Sequence, residues 1–275
     1  MKLKDLTGIR IADWLAKEAE TRPTRAALAF RLLSGFINWC DSQVEYAGLV
    51  PSGACKVRQV RDVMPSNNTR LGDSLQKEQL PAWFAAVKQI QNPVISAYLQ
   101  TVLLTGRRRR QVAELKWTDI DFQWNKITMN DKVEHTPSIP LTPYVADLLQ
   151  ALPRRNQYVF SSPTAKAGYL AEPTDAHHKA CVEAGVDLSL HGLRRSFANL
   201  SEWVDVPDGI ASQIQGHAPQ GVRAKNYIRR PLDLLRMWHV KIEAWILDEA
   251  GIKFEPVKTG LRVATAARVI YADNH

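Results

Sequence analysis

The chain has 275 residues, 45% of them apolar and 23% charged, enough to bury one large core or two ordinary ones without covalent staples. Its formal net charge of +8 points to an anionic partner, because a summed positive field concentrates polyanions around the molecule. No apolar run is long enough to span a bilayer and no signal peptide opens the chain, while three scattered cysteines (Cys40, Cys55, Cys181) argue against a disulfide framework, so the expected setting is a reducing cytoplasm.

Residues Ile9 to Ala19 predict a short helix, and Pro23 opens a longer one. The apolar positions Ala29, Leu32, Leu33, Phe36, Ile37, Cys40 and Val44 give this second helix an amphipathic face that ends near Gly48 and Pro51. Lys56, Arg58 and Arg61 then crowd a stretch with few apolar residues, which reads either as a solvated charge run or as a surface along a polyanion. Between Met64 and Leu80 the composition shifts to Pro65, Ser66, Asn67, Asn68 and Gly72, with almost nothing to bury. This marks a linker over 65–80 between a small helical domain (1–64) and a larger one (81–251), followed by a tail (252–275).

In the larger part Pro81 opens a helix through Ile90, and Pro93 to Leu104 form another, apolar nearly all round and therefore buried. After Thr105-Gly106, a helix over Arg108 to Trp117 begins among four consecutive arginines, Arg107 to Arg110. A helix amino terminus favours anions, so phosphate, acid side chains or solvent must offset the repulsion of these cations. Trp124 to Met129 and Ser138 to Leu141 read as a hairpin turning at Asn130-Asp131, with Lys132 at its tip. Tyr144 to Leu152 form a helix, Tyr158 to Ser161 a third strand, and Ala176 to Ala184 a helix closed by Gly185. The adjacent His177 and His178 are expected to be exposed. His177 and Cys181 have the spacing to share a metal, but no second ligand pair suits it, so neither metal nor cofactor is expected. The helix after His191 buries Leu193, Phe197 and Leu200, a short helix spans Pro207 to Ile214, and Leu235, Trp238, Ile242, Trp245 and Ile246 set out a long amphipathic helix ending at Gly251.

The chemistry-bearing residues concentrate in His191 to Arg230. His191 and Arg194 are three apart and share a helix face, and Arg offers a planar fork that matches phosphate oxygens. Gly216-His217 and then Tyr227 follow. With Thr105-Gly106-Arg107-Arg108 and Leu115-Lys116-Trp117-Thr118-Asp119-Ile120-Asp121 upstream, four boxes stand in order, and together they resemble the tyrosine recombinases, in particular the integrases of phages and genomic islands.

The resemblance implies a mainly α fold with a small antiparallel β-hairpin, in which residues 1–64 are a core-type DNA-binding domain and residues 81–251 the catalytic domain. It implies breakage and rejoining of double-stranded DNA at core-type sites, by a homotetramer with accessory DNA-bending proteins, at the nucleoid. It gives Tyr227 as nucleophile with Arg108, Lys132, His191, Arg194 and His217 as the other catalytic residues, and leaves Arg107, Arg109, Arg110, Lys56, Arg58 and Arg61 as candidate DNA contacts. Gln111 departs from the pattern, standing where the family often carries an acid. The alternatives are an enzyme like the type IB topoisomerases, with the same chemistry, and a non-catalytic DNA-binding protein on the same fold. No arm-binding domain is read before Ile9, so the chain is expected to be a fragment or a shorter relative. Residues 252–275 read equally as a connector to a neighbouring protomer and as disorder.

Overall fold

The computed structural model describes residues 2–66, 72–129, 138–217 and 230–255. The chain divides into two compact units, Met1–Leu71 and Gly72–His275.

In the first unit, α1 (Gly8–Thr21) starts where the Thr7 side chain accepts from Arg10 N, and Pro23 takes the first position of α2 (Pro23–Ser42). A short α3 (Arg58–Asp62) completes it. Its core gathers Ile11, Leu15, Ala26, Phe30, Ile37, Val50 and Val60. The face of α2 differs from the expected one. Ala26, Ala27, Phe30, Ile37 and Cys40 are buried, while Leu32 is 67% and Val44 98% exposed, and the helix ends at Ser42. Two apolar stripes overlap on this helix, and α1 covers only the one containing Phe30 and Ile37. Rings on the other side pack locally, Phe36 on Trp39 and Trp39 on Tyr46.

The second unit is built round α5 (Pro93–Thr105), buried on nearly every side. Asn92 caps its start by accepting from Val94 N, and Gly106 ends it in the left-handed region with φ of 59°. Packed with it are α4 (Leu80–Lys88), the one-turn α6 (Arg109–Ala113), α7 (Pro143–Gln150), α9 (Leu190–Ser201) and α11 (Leu232–Glu249), while α8 (Thr174–Glu183) packs on α4 and α10 (Asp208–Gln215) on α9 and α11. Glu243 of α11 is buried, with Tyr144 N and Val145 N, at the start of α7, donating to its carboxylate together with the Thr142 hydroxyl. Among the described residues no helix is long and apolar enough to cross a membrane.

An antiparallel sheet runs in the order β1 (Ile120–Asp121), β2 (Lys126–Thr128), β3 (Ser138–Pro140), with Ile127 opposite both Ile120 and Ile139. The β2–β3 pair is the expected hairpin, but its turn lies outside the described residues. The third strand is Ile120–Asp121 and not Tyr158–Ser161, which makes only the isolated bridges Lys116 to Tyr158 and Ser161 to Tyr169. Two local features favour this. The Asp121 carboxylate accepts from Gln123 N and Trp124 N, and Asn125 takes a positive φ, which folds residues 121–126 into a tight turn. The bonds Trp117 N to Gln157 O and Val159 N to Leu115 O draw residues 115–117 out of the expected Arg108 to Trp117 helix.

Two further expectations change. His177 is 2% exposed, under Cys181 at 3.4 Å, because it lies on the face of α8 turned to α4. The stretch before α4 is not bare linker from Gly72 onward, since Asp73 and Leu75 are both buried.

Candidate active site

Three of the sequence boxes meet at one glycine. A Cβ on Gly106 would lie 2.5 Å from Phe197 Cδ1 of α9 and 2.9 Å from Gln215 Nε2 at the end of α10, so a side chain there would force these neighbours to shift and would add the strain of a left-handed backbone. Arg194, 6% exposed, crosses this junction. Its Nη1 donates to Gly106 O and to Gln215 O, both at 2.7 Å, and Gln215 Nε2 returns a bond to Arg194 O at 2.8 Å.

Arg108 arrives from the other side. It holds extended backbone angles at the amino cap of α6, and its Nη1 points to Gly216 O at 3.4 Å. Gly216 closes α10 in the left-handed region, and His217 N donates to Ser212 O at 2.9 Å, which fixes the Gly-His turn against the helix end. Both guanidinium groups therefore face carbonyls at a helix carboxyl terminus. The partial negative charge there offsets the repulsion of bringing two cations together.

His191, in the first turn of α9, and His217 are both exposed. Partial desolvation of the ring holds the His191 imidazole below its ordinary value, Arg195, Arg194 and Arg109 push in the same direction, and Asp73 opposes them. Partial desolvation likewise lowers His217, helped by Arg194, Arg108 and Arg107. Both shifts favour the uncharged ring, in which one nitrogen keeps a lone pair to accept a proton or a hydrogen bond. Arg194 thus acts electrostatically on both rings and Arg108 on His217, so two cationic forks and two imidazoles form one cluster, a set of groups chemically able to bond an anion with several oxygens. Among the described residues no group of three His, Cys, Asp or Glu side chains is arranged to hold a metal ion.

The remaining candidates separate. Arg107 is fully buried, not exposed on a polyanion-facing surface as the sequence suggested. The chain turns at the left-handed Gly106, and the Arg107 Nε–H donates to Met129 Sδ at 3.4 Å while its charge acts on His217 and His239. Arg109 and Arg110 are exposed beside acids, at 3.7 Å from Glu172 and 2.7 Å from Glu114. Lys56, Arg58 and Arg61 are exposed on the first unit, Arg58 at 3.5 Å from Asp62 and Arg61 donating to Lys56 O. Lys132 and Tyr227 lie outside the described residues. Sequence reasoning missed Gln215, whose only signal was its place before Gly216-His217, and Asp73, which had none.

The phage integrase core-binding domain model matches residues 1–62, and the phage integrase family model matches residues 73–230. The prophage integrase IntF of Escherichia coli (strain K12) is 48% identical over 260 residues, covering 92% of this chain and 56% of that protein. This chain thus spans about half the length of the curated relative it matches. Among solved structures, a lambda integrase tetramer bound to a Holliday junction is similar with a TM-score of 0.62 at 17% identity, over 84% of this chain and 68% of that one. The XerH site-specific recombinase bound to its difH substrate in a pre-cleavage complex gives a TM-score of 0.60 at 17% identity, over 89% of this chain and 70% of that one. At such identity these structures establish a shared fold.

Proposed function

Because the chain belongs to the phage integrase family, we propose that it is a site-specific recombinase that breaks and rejoins double-stranded DNA through a 3′-phosphotyrosyl intermediate, for integration or excision of a mobile element. The observation that carries this reading is the convergence of Arg108 and Arg194 on the carbonyls of Gly106, Gln215 and Gly216, with both arginines acting on His217 and Arg194 also on His191.

The Tyr227 phenol oxygen attacks the scissile phosphorus and the 5′ oxygen leaves, so one phosphodiester is exchanged for another and no external energy source is consumed. Arg108 and Arg194 hold the non-bridging oxygens with fixed positive charge, which stabilises the negative charge that builds up on them. His191 accepts the phenol proton, His217 hydrogen-bonds the phosphate, and Lys132 gives a proton to the departing oxygen, each proton transfer worth roughly 10²–10⁴ in rate. Rejoining reverses these steps with a new 5′ hydroxyl.

The substrate is core-type DNA, contacted by Lys56, Arg58 and Arg61 of residues 1–64 and by Arg109 and Arg110 beside the catalytic cradle, with Arg107 removed from that set by its burial. Residues 81–251 act as the catalytic domain of a homotetramer on DNA, aided by DNA-bending proteins at the bacterial nucleoid. The test is recovery and sequencing of protein-linked DNA from cells that carry the element. Adducts at one defined sequence, attached through the 3′ phosphate, are expected. Adducts scattered without sequence preference would indicate an enzyme that relaxes DNA, and the absence of any adduct would contradict the proposal.

A further inference from the structure

The segment leading into α4 runs as a strap along α9. Asp73, 4% exposed, accepts from Ser189 N at 2.7 Å, from Ser189 Oγ at 2.6 Å and from Arg195 Nη1 at 2.7 Å. Leu75 N donates to Ser196 Oγ at 2.7 Å, and Asn199 Nδ2 donates to Ser74 Oγ at 2.9 Å. The touched positions 192, 195, 196 and 199 recur at helical spacing and form one stripe of α9. His191 and Arg194 stand one residue back along the same turns, on the neighbouring stripe.

We propose that Asp73 is a positioning residue that fixes the helix carrying His191 and Arg194, a role that rests on the recombinase reading above. Its carboxylate sits at the amino end of α9, where negative charge is favoured and backbone donors lack partners within the helix. Ser189 links the two, giving its hydroxyl proton to Asp73 while its oxygen accepts from Gly192 N at 3.0 Å. The same contact accounts for the glycine in His191-Gly192-Leu193-Arg194. A Cβ there would lie 2.4 Å from Asp73 Oδ1. It also separates the two adjacent arginines, since Asp73 draws Arg195 to the strap and Arg194 is left to the carbonyls of the cradle.

Among the described residues, the charged groups that act on His191 are Arg194 and Arg195 from α9, Arg109 from α6 and Asp73 from the strap. Two variants of the full chain therefore separate position from charge. Asp73→Asn removes a negative charge and lowers the His191 titration midpoint, whereas Arg195→Gln removes a positive one and raises it, both read by NMR of the imidazole and assigned with His191→Gln. If Asp73 acts by position, both variants slow covalent adduct formation at saturating DNA by about ten-fold or more at pH 8, with affinity little changed, since small displacements of reacting groups are costly. The probe is a nicked duplex bearing the sequence recovered in the adduct experiment. Opposite changes in rate would show that only charge matters, and wild-type rates in folded variants would likewise overturn the proposal. Should Asp73→Asn fail to fold, Arg195→Gln, which leaves both Ser189 bonds in place, carries the test alone. If the wild type forms no adduct, the recombinase reading has failed, and unmoved backbone amide resonances of Gly192 to Arg194 in folded variants would overturn the Asp73 role separately.

Discussion

Arg194 and Gly106 are 88 residues apart in the chain, yet the guanidinium of the first donates to the carbonyl of the second at 2.7 Å. That bond ties the end of α5 to α9, and the second bond from the same nitrogen ties both to the end of α10. The cradle is thus assembled from helix termini, whose free carbonyls are what a pair of closely placed arginines needs.

Gly106→Ala should destabilise the fold and disorganise the cradle together. The left-handed backbone and the 2.5 Å approach to Phe197 both oppose a side chain, at a combined cost of roughly 2–4 kcal/mol. Urea unfolding measures this, and a loss under about 1 kcal/mol would show that the turn relaxes easily.

Stability should fall as the pH drops from 7 to 5. Burial holds His239 and His177 down to about 4, well below the 6.5 of an unfolded chain, so the unfolded state binds more protons in this window. Each ring contributes stability that is present above pH 6.5 and lost toward pH 4, on the order of 2 kcal/mol by pH 5. Glu243, raised to about 7 by burial, acts in the opposite sense, its contribution being lost as the pH rises from 4.5 through 7. His239 Nε2–H donates to Leu104 O, a bond that a glutamine amide can replace. His239→Gln should therefore cut the loss between pH 7 and 5 by about 2 kcal/mol in denaturant titrations, and an unchanged slope would refute the assignment.

Lys132 can be isolated chemically. With sulfur in place of the scissile 5′ bridging oxygen, the leaving thiolate has a conjugate acid of pKa near 8.5 by analogy with cysteine, and so departs without a proton donor. Lys132→Ala should be severely slowed on ordinary DNA and recover most of its rate on the sulfur substrate. Arg108→Ala should not recover, because sulfur at the bridge does not replace charge on the phosphoryl oxygens. Equal defects of Lys132→Ala on both substrates would exclude it as the general acid.

Much of this fold was legible because α5 and α11 carry long apolar patterns, with Pro93 opening the first and the left-handed Gly251 following the second. The family was legible from four ordered boxes. What escaped depends on contacts between distant segments. Periodicity does not say which of two apolar stripes on α2 is covered, nor that Arg107 is buried after the left-handed Gly106. Asp73 stands in a polar stretch that looks like linker, and only the arrival of Ser189 and Arg195 from more than a hundred residues away gives it a role. The strand at Ile120–Asp121 is set by an aspartate turn, which a search for apolar runs passes over.

The central claim is covalent catalysis by Tyr227, and the most direct measurement is to trap the protein on a nicked duplex, digest it with protease, and locate the nucleotide-bearing peptide by mass spectrometry, for the wild type and for Tyr227→Phe. The account predicts a nucleotide on Tyr227 in the wild type, and a Phe variant that binds the same DNA but forms no adduct. A nucleotide on any other residue, or an adduct formed by the Phe variant, would contradict it.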